Sequence, residues 1–361
     1  MKSRIPILFA LITGILLTCS CKKDSPKVTT TTPPPPPAIP GPFLYLAGST
    51  GTQGICWKLS LSEPSDSIKA DTIQNARNIS AMVISDSIRY MVGATGGYWR
   101  NDSFVAIPGA SQLNLITVSG TTVYTAGSDI SAGLGIWTNS TESENLDNGL
   151  DAIYPSGVSW SFSITGMAVS GSNVLVSGSW VIEGQYGGPD SALYSGFGVL
   201  FTNGAAQILP YNNYTLYGGD YYPWTTGVAV SGNDIYVTGA LPDTIPTPNG
   251  GFWKNNVWNN INNGAFHPTA ITTSDTNVVI IGYTYTLPWN PASMQAACWQ
   301  NGTLTHLNGT TAVMVALNGS DVYVLGQANN GNIVVWKNGN LFKTLNGVIN
   351  GSIGCIAIGN Q

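Results

Sequence analysis

The sequence predicts an all-β fold, a seven-bladed β-propeller of four-stranded antiparallel blades over residues 43–361. Three observations support this prediction. An apolar segment ending in glycine recurs seven times, a segment with an aromatic residue follows each copy, and the two ends of the domain complement each other. Such repetition, with about 45 residues per unit, is typical of folds built from equivalent four-stranded units.

The first observation predicts the second strand of every blade. Its clearest copy runs from Asp321 to Gly326 as Asp-Val-Tyr-Val-Leu-Gly, a short β-branched and aromatic segment of the kind that forms strands. The intervals between the final glycines leave room for one four-stranded meander each. These glycines are Gly48, Gly93, Gly127, Gly178, Gly239, Gly282 and Gly326.

The second observation predicts the third strand and the turn after it. Most copies end in a turn such as Lys337-Asn338-Gly339, and Asn-Gly suits two-residue hairpins because both central residues tolerate positive φ. Because the aromatic positions are equivalent in all seven units, we assign them to blade packing rather than to ligand binding. They are Trp57, Trp99, Trp137, Phe201, Trp253, Trp299 and Trp336.

The third observation predicts how the ring closes. The segment Ser352–Gly359 matches a first strand such as the one ending at Gly171, yet the chain stops where a second strand should follow. The domain begins at Phe43 with a second strand that lacks its first. We therefore expect the C-terminal strand to complete the N-terminal blade and remove two exposed sheet edges.

These repeats resemble β-propellers in general, over nearly all of residues 43–361. The Gly-His and Trp-Asp signature of WD40 blades is missing, as are the sialidase Asp-box and the repeats of quinone-binding propellers. The resemblance therefore implies a fold and no particular activity.

The N-terminal segment predicts export and lipidation. Lys2 and Arg4 precede an apolar stretch that ends before Ser20-Cys21, which resembles the lipobox of bacterial lipoproteins. We assign 1–20 as a lipoprotein signal peptide and Cys21 as the lipidated residue. Cleavage at an ordinary secretory site is the alternative. The only membrane contact we expect is the lipid anchor.

Residues 21–42 follow as a linker rich in threonine and proline, which favours extended polyproline II structure. Its start, Lys22-Lys23-Asp24, resembles the charged tract of Bacteroidota surface lipoproteins. The expected location is the outer membrane, lipid-anchored and exposed at the cell surface, with a periplasm-facing orientation as the alternative.

The charge of the domain excludes one class of partner. Residues 43–361 hold eight Lys or Arg and seventeen Asp or Glu, a net charge of −9. Phosphate recognition needs clustered basic residues, so we expect no nucleic-acid partner. We expect the protein to be a monomer.

No cofactor, metal site or catalytic constellation is predicted. His267, in an expected inter-blade loop, and His306, on an expected fourth strand, are the only histidines and show no zinc-ligand spacing. Cys56 and Cys298 precede a repeat aromatic residue and should be buried, while Cys355 should lie on a first strand, two strands away from Cys56. No disulfide is therefore expected.

Function is predicted on the face that carries the long connections. These connections are expected at 179–196, 240–251 and 283–296 between second and third strands, and at 139–163, 210–225 and 263–268 between blades. In an antiparallel ring both kinds emerge on one side, and loops on a rigid scaffold commonly carry binding sites.

These connections are rich in aromatic and polar residues outside the repeat positions, which favours a binding surface over simple loop packing. The ligand-binding candidates are Trp160, Trp180, Glu183, Tyr186, Asp190, Tyr217, Asp220, Tyr221, Tyr222, Trp224, His267, Tyr285 and Trp289.

The sequence thus favours a non-catalytic module that binds a glycan, a peptide or a protein partner. The alternative is a hydrolase or lyase that acts on a polysaccharide with loop carboxylates, although no motif pairs two of them at the spacing that glycoside hydrolysis needs. The available carboxylates are Asp151, Glu183, Asp190, Asp220 and Asp243.

Overall fold

The computed structural model describes residues 41–62, 68–131, 133–153, 159–185, 192–210, 223–241, 249–286, 291–345 and 351–360. The chain divides into two compact units, Met1–Ile39 and Pro40–Gln361, and the first lies outside the described residues, as do the predicted signal peptide and lipidated Cys21. Within the described ranges, no helix has the length and apolarity needed to cross a membrane.

The second unit is a ring of seven four-stranded antiparallel sheets, as predicted. Blade I consists of β28 (Ser352–Gly359), β1 (Phe43–Thr50), β2 (Gln53–Ser60) and β3 (Lys69–Ile73). Blade II consists of β4 (Ile79–Ser85), β5 (Ile88–Gly93), β6 (Gly97–Arg100) and β7 (Ser103–Ala106). Blade III consists of β8 (Ala110–Ser119), β9 (Thr122–Asp129), β10 (Leu134–Thr138) and β11 (Thr141–Asn145).

The remaining four blades follow in chain order. Blade IV consists of β12 (Ser159–Ser170), β13 (Asn173–Gln185), β14 (Ala192–Thr202) and β15 (Ala205–Ile208). Blade V consists of β16 (Trp224–Ser231), β17 (Asp234–Leu241), β18 (Asn249–Lys254) and β19 (Val257–Asn260). Blade VI consists of β20 (Phe266–Ser274), β21 (Asn277–Thr284), β22 (Gln295–Gln300) and β23 (Thr303–His306), and blade VII of β24 (Thr311–Asn318), β25 (Asp321–Gln327), β26 (Ile333–Lys337) and β27 (Asn340–Thr344).

Three short helical segments lie between strands. Helix α1 (Leu146–Asp151) follows blade III, and 3₁₀ turns occupy Asn262–Gly264 and Pro291–Ser293. The Asn145 side chain caps α1 by accepting a hydrogen bond from the backbone N–H of Asn148.

Ring closure by the C-terminal strand is confirmed. Strand β28 pairs with β1 from Phe43 opposite Gly359 to Ser49 opposite Ser352, and β2 pairs with the other edge of β1. The closure gives blade I the same sheet order as the other six blades. Two edges that would otherwise be open are therefore paired.

The repeat glycine in every second strand is required by a β-bulge in the first strand of the same blade. In blade VI the register shifts between Pro268 and Ala270, and a Cβ placed on Gly282 would overlap the carbonyl of His267. The same close approach recurs in every blade, so the repeated glycine is a steric requirement. The seven carbonyls belong to Ser352, Asn78, Gln112, Ser163, Trp224, His267 and Thr311.

In blades II, IV and VI the extra residue of the bulge links neighbouring blades. The Thr269 hydroxyl donates to the carbonyl of Ala312 in the next blade at 2.7 Å, and Ser80 makes the equivalent bond to Leu113 at 3.3 Å. In blade IV the bulge residue Thr165 reaches the hydroxyl of Thr225 in blade V at 2.7 Å. These three bulges therefore both shape their first strands and join their blades to the next ones.

The asparagine of the turn between third and fourth strands clamps the second strand. Asn338 has φ +49°, accepts a hydrogen bond at its Oδ1 from the N–H of Val322 at 2.8 Å, and donates its own N–H to the Val322 carbonyl at 2.9 Å. The same pair of bonds occurs in six blades, and the corresponding turn of blade I includes residues outside the described ranges. The six asparagines are Asn101, Asn139, Asn203, Asn255, Asn301 and Asn338.

The repeat aromatic residues fill the core, as predicted. Six of the seven are at most 2 % exposed, and Trp299 is half-buried against Phe252, with ring centroids 5.0 Å apart. The three described cysteines are free and buried. Ala47 on β1 pairs with Cys56 on one side and Cys355 on the other, so a strand separates the two thiols.

Candidate functional site

The antiparallel order places two sets of connections at one end of the ring: those between second and third strands, and those between blades. We call this end the insertion face. Several predicted loops prove to be partly strand. The predicted loop 179–196 is mostly a hairpin, because β13 and β14 stay paired out to Gln185 opposite Ala192.

Two inter-blade loops also begin or end differently from the prediction. In 139–163 the structure has β11, α1 and the start of β12, so the connection is shorter than expected. In 263–268 the strand β20 already begins at Phe266, and the expectation that His267 lies in a loop is wrong. Pro268 is compatible with a strand because it lies at the bulge, where a missing N–H is tolerated.

Seven of the predicted ligand-binding residues lie outside the described ranges, as does the predicted lipidation site Cys21. The seven are Tyr186, Asp190, Tyr217, Asp220, Tyr221, Tyr222 and Trp289. Trp160 and Glu183 lie on β12 and β13, which pair with each other, and their side chains are not described.

Two further candidates belong to the core. Trp180 lies on β13 and is 1 % exposed, packed against Phe197 with ring centroids 6.1 Å apart. Tyr285 is 5 % exposed. A buried ring offers no free surface to a ligand, so the structure reassigns both residues to packing.

Trp224 and His267 occupy one register position, the residue just before the bulge in the first strand. In four other blades this position is exposed and holds Asn78, Gln112, Ser163 or Ser352. The residue opposite is the one after the repeat glycine. In blades I, III, IV and VII the two positions pair as Ser49–Ser352, Gln112–Ser128, Ser163–Ser179 and Thr311–Gln327.

Blades V and VI depart from this small and polar pattern. Blade V has Trp224 opposite Ala240, and blade VI has His267 opposite Tyr283. Since five blades form without aromatic residues here, blade formation does not require them. We call Trp224, His267 and Tyr283 the aromatic cluster.

The three rings contact one another across the boundary between blades V and VI. The centroids of Trp224 and His267 are 5.5 Å apart with the planes inclined at 40°, and those of His267 and Tyr283 are 4.7 Å apart and nearly parallel at 9°. All three side chains are half-buried. The three rings therefore form one continuous aromatic surface, because His267 contacts both of the others. The His267 and Tyr283 rings are nearly parallel, and the Trp224 ring is inclined to them.

The imidazole is held in its neutral form. Burial lowers the pKa of His267, and the nearby carbonyls of His267 and Pro268 only partly offset this effect. Burial likewise raises the pKa of Tyr283, and no charged group in the described ranges contributes to either shift. The Nδ1 atom of His267 is buried and has no hydrogen-bond partner among the described residues.

A second buried polar atom without a partner lies in blade V, away from the aromatic cluster. The Oδ1 atom of Asn249, the first residue of β18, makes no hydrogen bond within the described part of the chain. The next residue, Gly250, faces blade VI, where a Cβ would overlap the Phe266 carbonyl, so the Asn249 side chain lies on the other face of the sheet, as does Leu241 opposite it. Unpaired buried polar atoms are rare in native proteins, and Nδ1 of His267 is the one that belongs to the aromatic cluster.

Two described carboxylates of the insertion face, those of Asp129 and Asp147, accept hydrogen bonds from backbone N–H groups of blade III. Asp129 accepts backbone hydrogen bonds from Ser131 and Gly133 at 2.7 and 2.9 Å, and Asp147 accepts one from Leu134 at 3.0 Å. Burial raises the pKa of Asp147, and Asp129 adds to the shift. Across the described residues, no three His, Cys, Asp or Glu side chains are grouped so as to hold a metal ion.

Tyr283 lies in a predicted insertion and belongs to its aromatic residues, but it was not among the ligand-binding candidates. A stronger signal was available: Tyr283 directly follows the repeat glycine Gly282, where the other blades carry Ser, Ala or Gln.

Comparisons with known proteins support the fold. No protein-family model matches the sequence, and no curated protein does either. The β-propeller domain of the Trilobed protease from Pyrococcus furiosus, described as having an open velcro topology, is 9 % identical with a TM-score of 0.52, over 85 % of this chain and 93 % of that one. The Pyrococcus horikoshii acylaminoacyl peptidase is also 9 % identical, with a TM-score of 0.48, over 84 % of this chain and 50 % of that one. At this identity, the similarity to the Trilobed protease domain shows a shared propeller fold and nothing more. In the present chain, β28 pairs with β1.

Proposed function

We propose that this protein is a cell-envelope lipoprotein whose propeller is a non-catalytic binding module that engages its ligand through the insertion face. The observation that carries the proposal is the replacement of a small polar pair by aromatic residues in two adjacent blades only. Half-buried Trp and Tyr, combined with the unpaired Nδ1 of His267, are features of binding surfaces.

The enzyme alternative has less support. Of the carboxylates considered for it, Asp190, Asp220 and Asp243 lie outside the described residues, and Asp151 is exposed at the end of α1. Carboxylate oxygens of Asp129 and Asp147 accept hydrogen bonds from backbone N–H groups in the same part of blade III. A hydrolase would show turnover that Glu183→Gln, Asp190→Asn or Asp220→Asn abolishes while binding persists.

The binding proposal is tested by probing glycan and peptide arrays with the purified protein and with Trp224→Ala. We expect a ligand on one array and a loss of its signal in the variant. Trp258→Ala is the matched control, because Trp258 is also half-buried in blade V but lies on the outermost strand β19. Equal loss in both variants, or binding that both retain, would contradict a site at the aromatic cluster.

The envelope location is tested separately. If Cys21 carries the lipid, Cys21→Ala should move the protein from the membrane fraction to the soluble fraction, because acyl chains supply its membrane affinity. Surface exposure predicts that protease added to intact cells removes the wild-type protein. An unchanged membrane fraction for Cys21→Ala would refute the lipidation proposal.

A further inference from the structure

We propose that the aromatic cluster is a subsite for a neutral sugar ring. This inference rests on the proposed function, since it specifies the ligand class for the same surface. Three properties of the described residues carry it: the shape of the aromatic surface, the absence of a described charged group acting on it, and the unpaired ring nitrogen of His267.

The shape of the cluster suits a flat ring with an apolar face. His267 and Tyr283 stack nearly parallel at 4.7 Å, and Trp224 is inclined to the imidazole by 40°. A pyranose presents axial C–H groups on its faces, and these pack on the electron-rich faces of aromatic rings. In blades I to IV the residue at this register position is exposed to solvent. The surface at the same position in blades V and VI therefore faces outward at the insertion face.

The electrostatics favour a ligand without charge. No charged group among the described residues contributes to the pKa shift of either His267 or Tyr283, and burial favours the neutral imidazole. A charged ligand would lose hydration here without gaining an opposite charge from the described residues, which is unfavourable. The domain is also acidic overall, so an anionic glycan would meet repulsion at long range.

The unpaired ring nitrogen favours a ligand with hydroxyl groups. Nδ1 of a neutral imidazole donates or accepts a hydrogen bond according to its tautomer. A hydroxyl group can act in both ways, and a sugar carries several around an apolar ring. One ligand of this class therefore satisfies Nδ1 of His267 and covers the aromatic surface.

The experiment is affinity electrophoresis of the purified protein in native gels that contain laminarin, xyloglucan, galactomannan or pullulan, with polygalacturonate as the anionic comparison and a peptide array run in parallel. The main variant is His267→Ser with Tyr283→Ser, which gives blade VI the Ser–Ser pair that blade IV has at Ser163 and Ser179. Because that pair already forms in a blade of this ring, the double variant should fold, and thermal unfolding checks this. Trp224→Ala provides an independent variant, and Trp258→Ala the control.

We expect at least one neutral polysaccharide to retard the wild-type protein and Trp258→Ala equally. The double variant and Trp224→Ala should bind it about tenfold more weakly or worse. Retardation that survives in both cluster variants, or retardation by polygalacturonate alone, overturns the sugar subsite. Peptide binding that the double variant abolishes, without any glycan binding, overturns the sugar subsite and leaves the proposed function standing. Absence of binding to every glycan and every peptide overturns both.

Discussion

Replacement of the turn residue Asn338 tests the interpretation of the repeated Asn-Gly turn as a clamp on the second strand. Its Oδ1 is the hydrogen-bond acceptor for the N–H of Val322, a residue that is 4 % exposed. In Asn338→Gly the turn keeps its positive φ but the buried N–H loses its partner. An unpaired buried donor costs about 1–3 kcal/mol, and we expect the free energy of unfolding to fall by that amount.

Asn338→Ala adds a backbone cost to the same loss. The native φ of +49° is unfavourable for a residue with a Cβ by about 1–2 kcal/mol, a cost that glycine avoids. The alanine variant should therefore be less stable than the glycine variant. The order of stability, wild type above Asn338→Gly above Asn338→Ala, separates the hydrogen bond from the backbone conformation.

The assay is equilibrium unfolding in urea followed by tryptophan fluorescence, with the midpoint and slope compared between variants. Asn340→Ala is the control, because Asn340 is exposed and the only described hydrogen bond of its side chain, to the Asn338 carbonyl, is long at 3.4 Å. It should change stability by less than about 0.5 kcal/mol. The clamp interpretation is refuted if Asn338→Gly is as stable as Asn340→Ala.

Three further predictions concern other parts of the ring. Thr269→Val removes the hydroxyl that joins blades VI and VII and should lower stability by about 1 kcal/mol in the same urea assay, while Thr269→Ser should not; equal losses would contradict the inter-blade bond. Burial raises the pKa of Cys56 and of Cys298 to about 11 and that of Cys355 further, so none of these thiols should react with iodoacetamide at pH 8 until the protein is denatured, as peptide mass mapping would show. The raised pKa of Asp147 means that its charge disfavours the folded state above that pKa and that protonation relieves this as the pH falls. Asp147→Asn should therefore raise the melting temperature at pH 7.5 and have a smaller effect near pH 4, and a pH-independent difference would contradict the assignment.

The fold could be predicted because its geometric requirements recur in every blade. The bulge before each second strand excludes a Cβ at the facing position, so glycines such as Gly282 mark the blades in the sequence. The missing first strand at Phe43 and the surplus strand at Ser352 then determined the closure. Requirements that repeat seven times are visible without an alignment.

The loops were less predictable because the same glycine was taken as the end of the strand. In blade IV the strand continues beyond Gly178 to Gln185, since a partner segment that starts at Ala192 pairs with it. Pro268 likewise suggested a loop, and only the position of the bulge shows why a strand tolerates it there. Both errors arise from pairing partners that local sequence does not specify.

The site itself was partly predictable. Trp224 and His267 stand out in the sequence as residues outside the repeat positions, but their contact depends on the adjacency of blades V and VI. The burial that makes Trp180 a core residue follows from the extended hairpin and could not be inferred from composition. The strand register, once known, distinguishes the half-buried Trp224 and His267 from the buried Trp180.

The most direct test of the binding site is long-range ¹H–¹⁵N NMR of the two imidazoles, titrated with whichever neutral polysaccharide retards the protein in the gels. The chain contains only His267 and His306, and both belong to blade VI, with His306 exposed at the end of the outermost strand β23. His306→Gln assigns the signals. We predict that the ring nitrogen signals of His267 shift as the ligand binds, while those of His306 stay in place. Binding that leaves the His267 signals unchanged would contradict a site at the aromatic cluster.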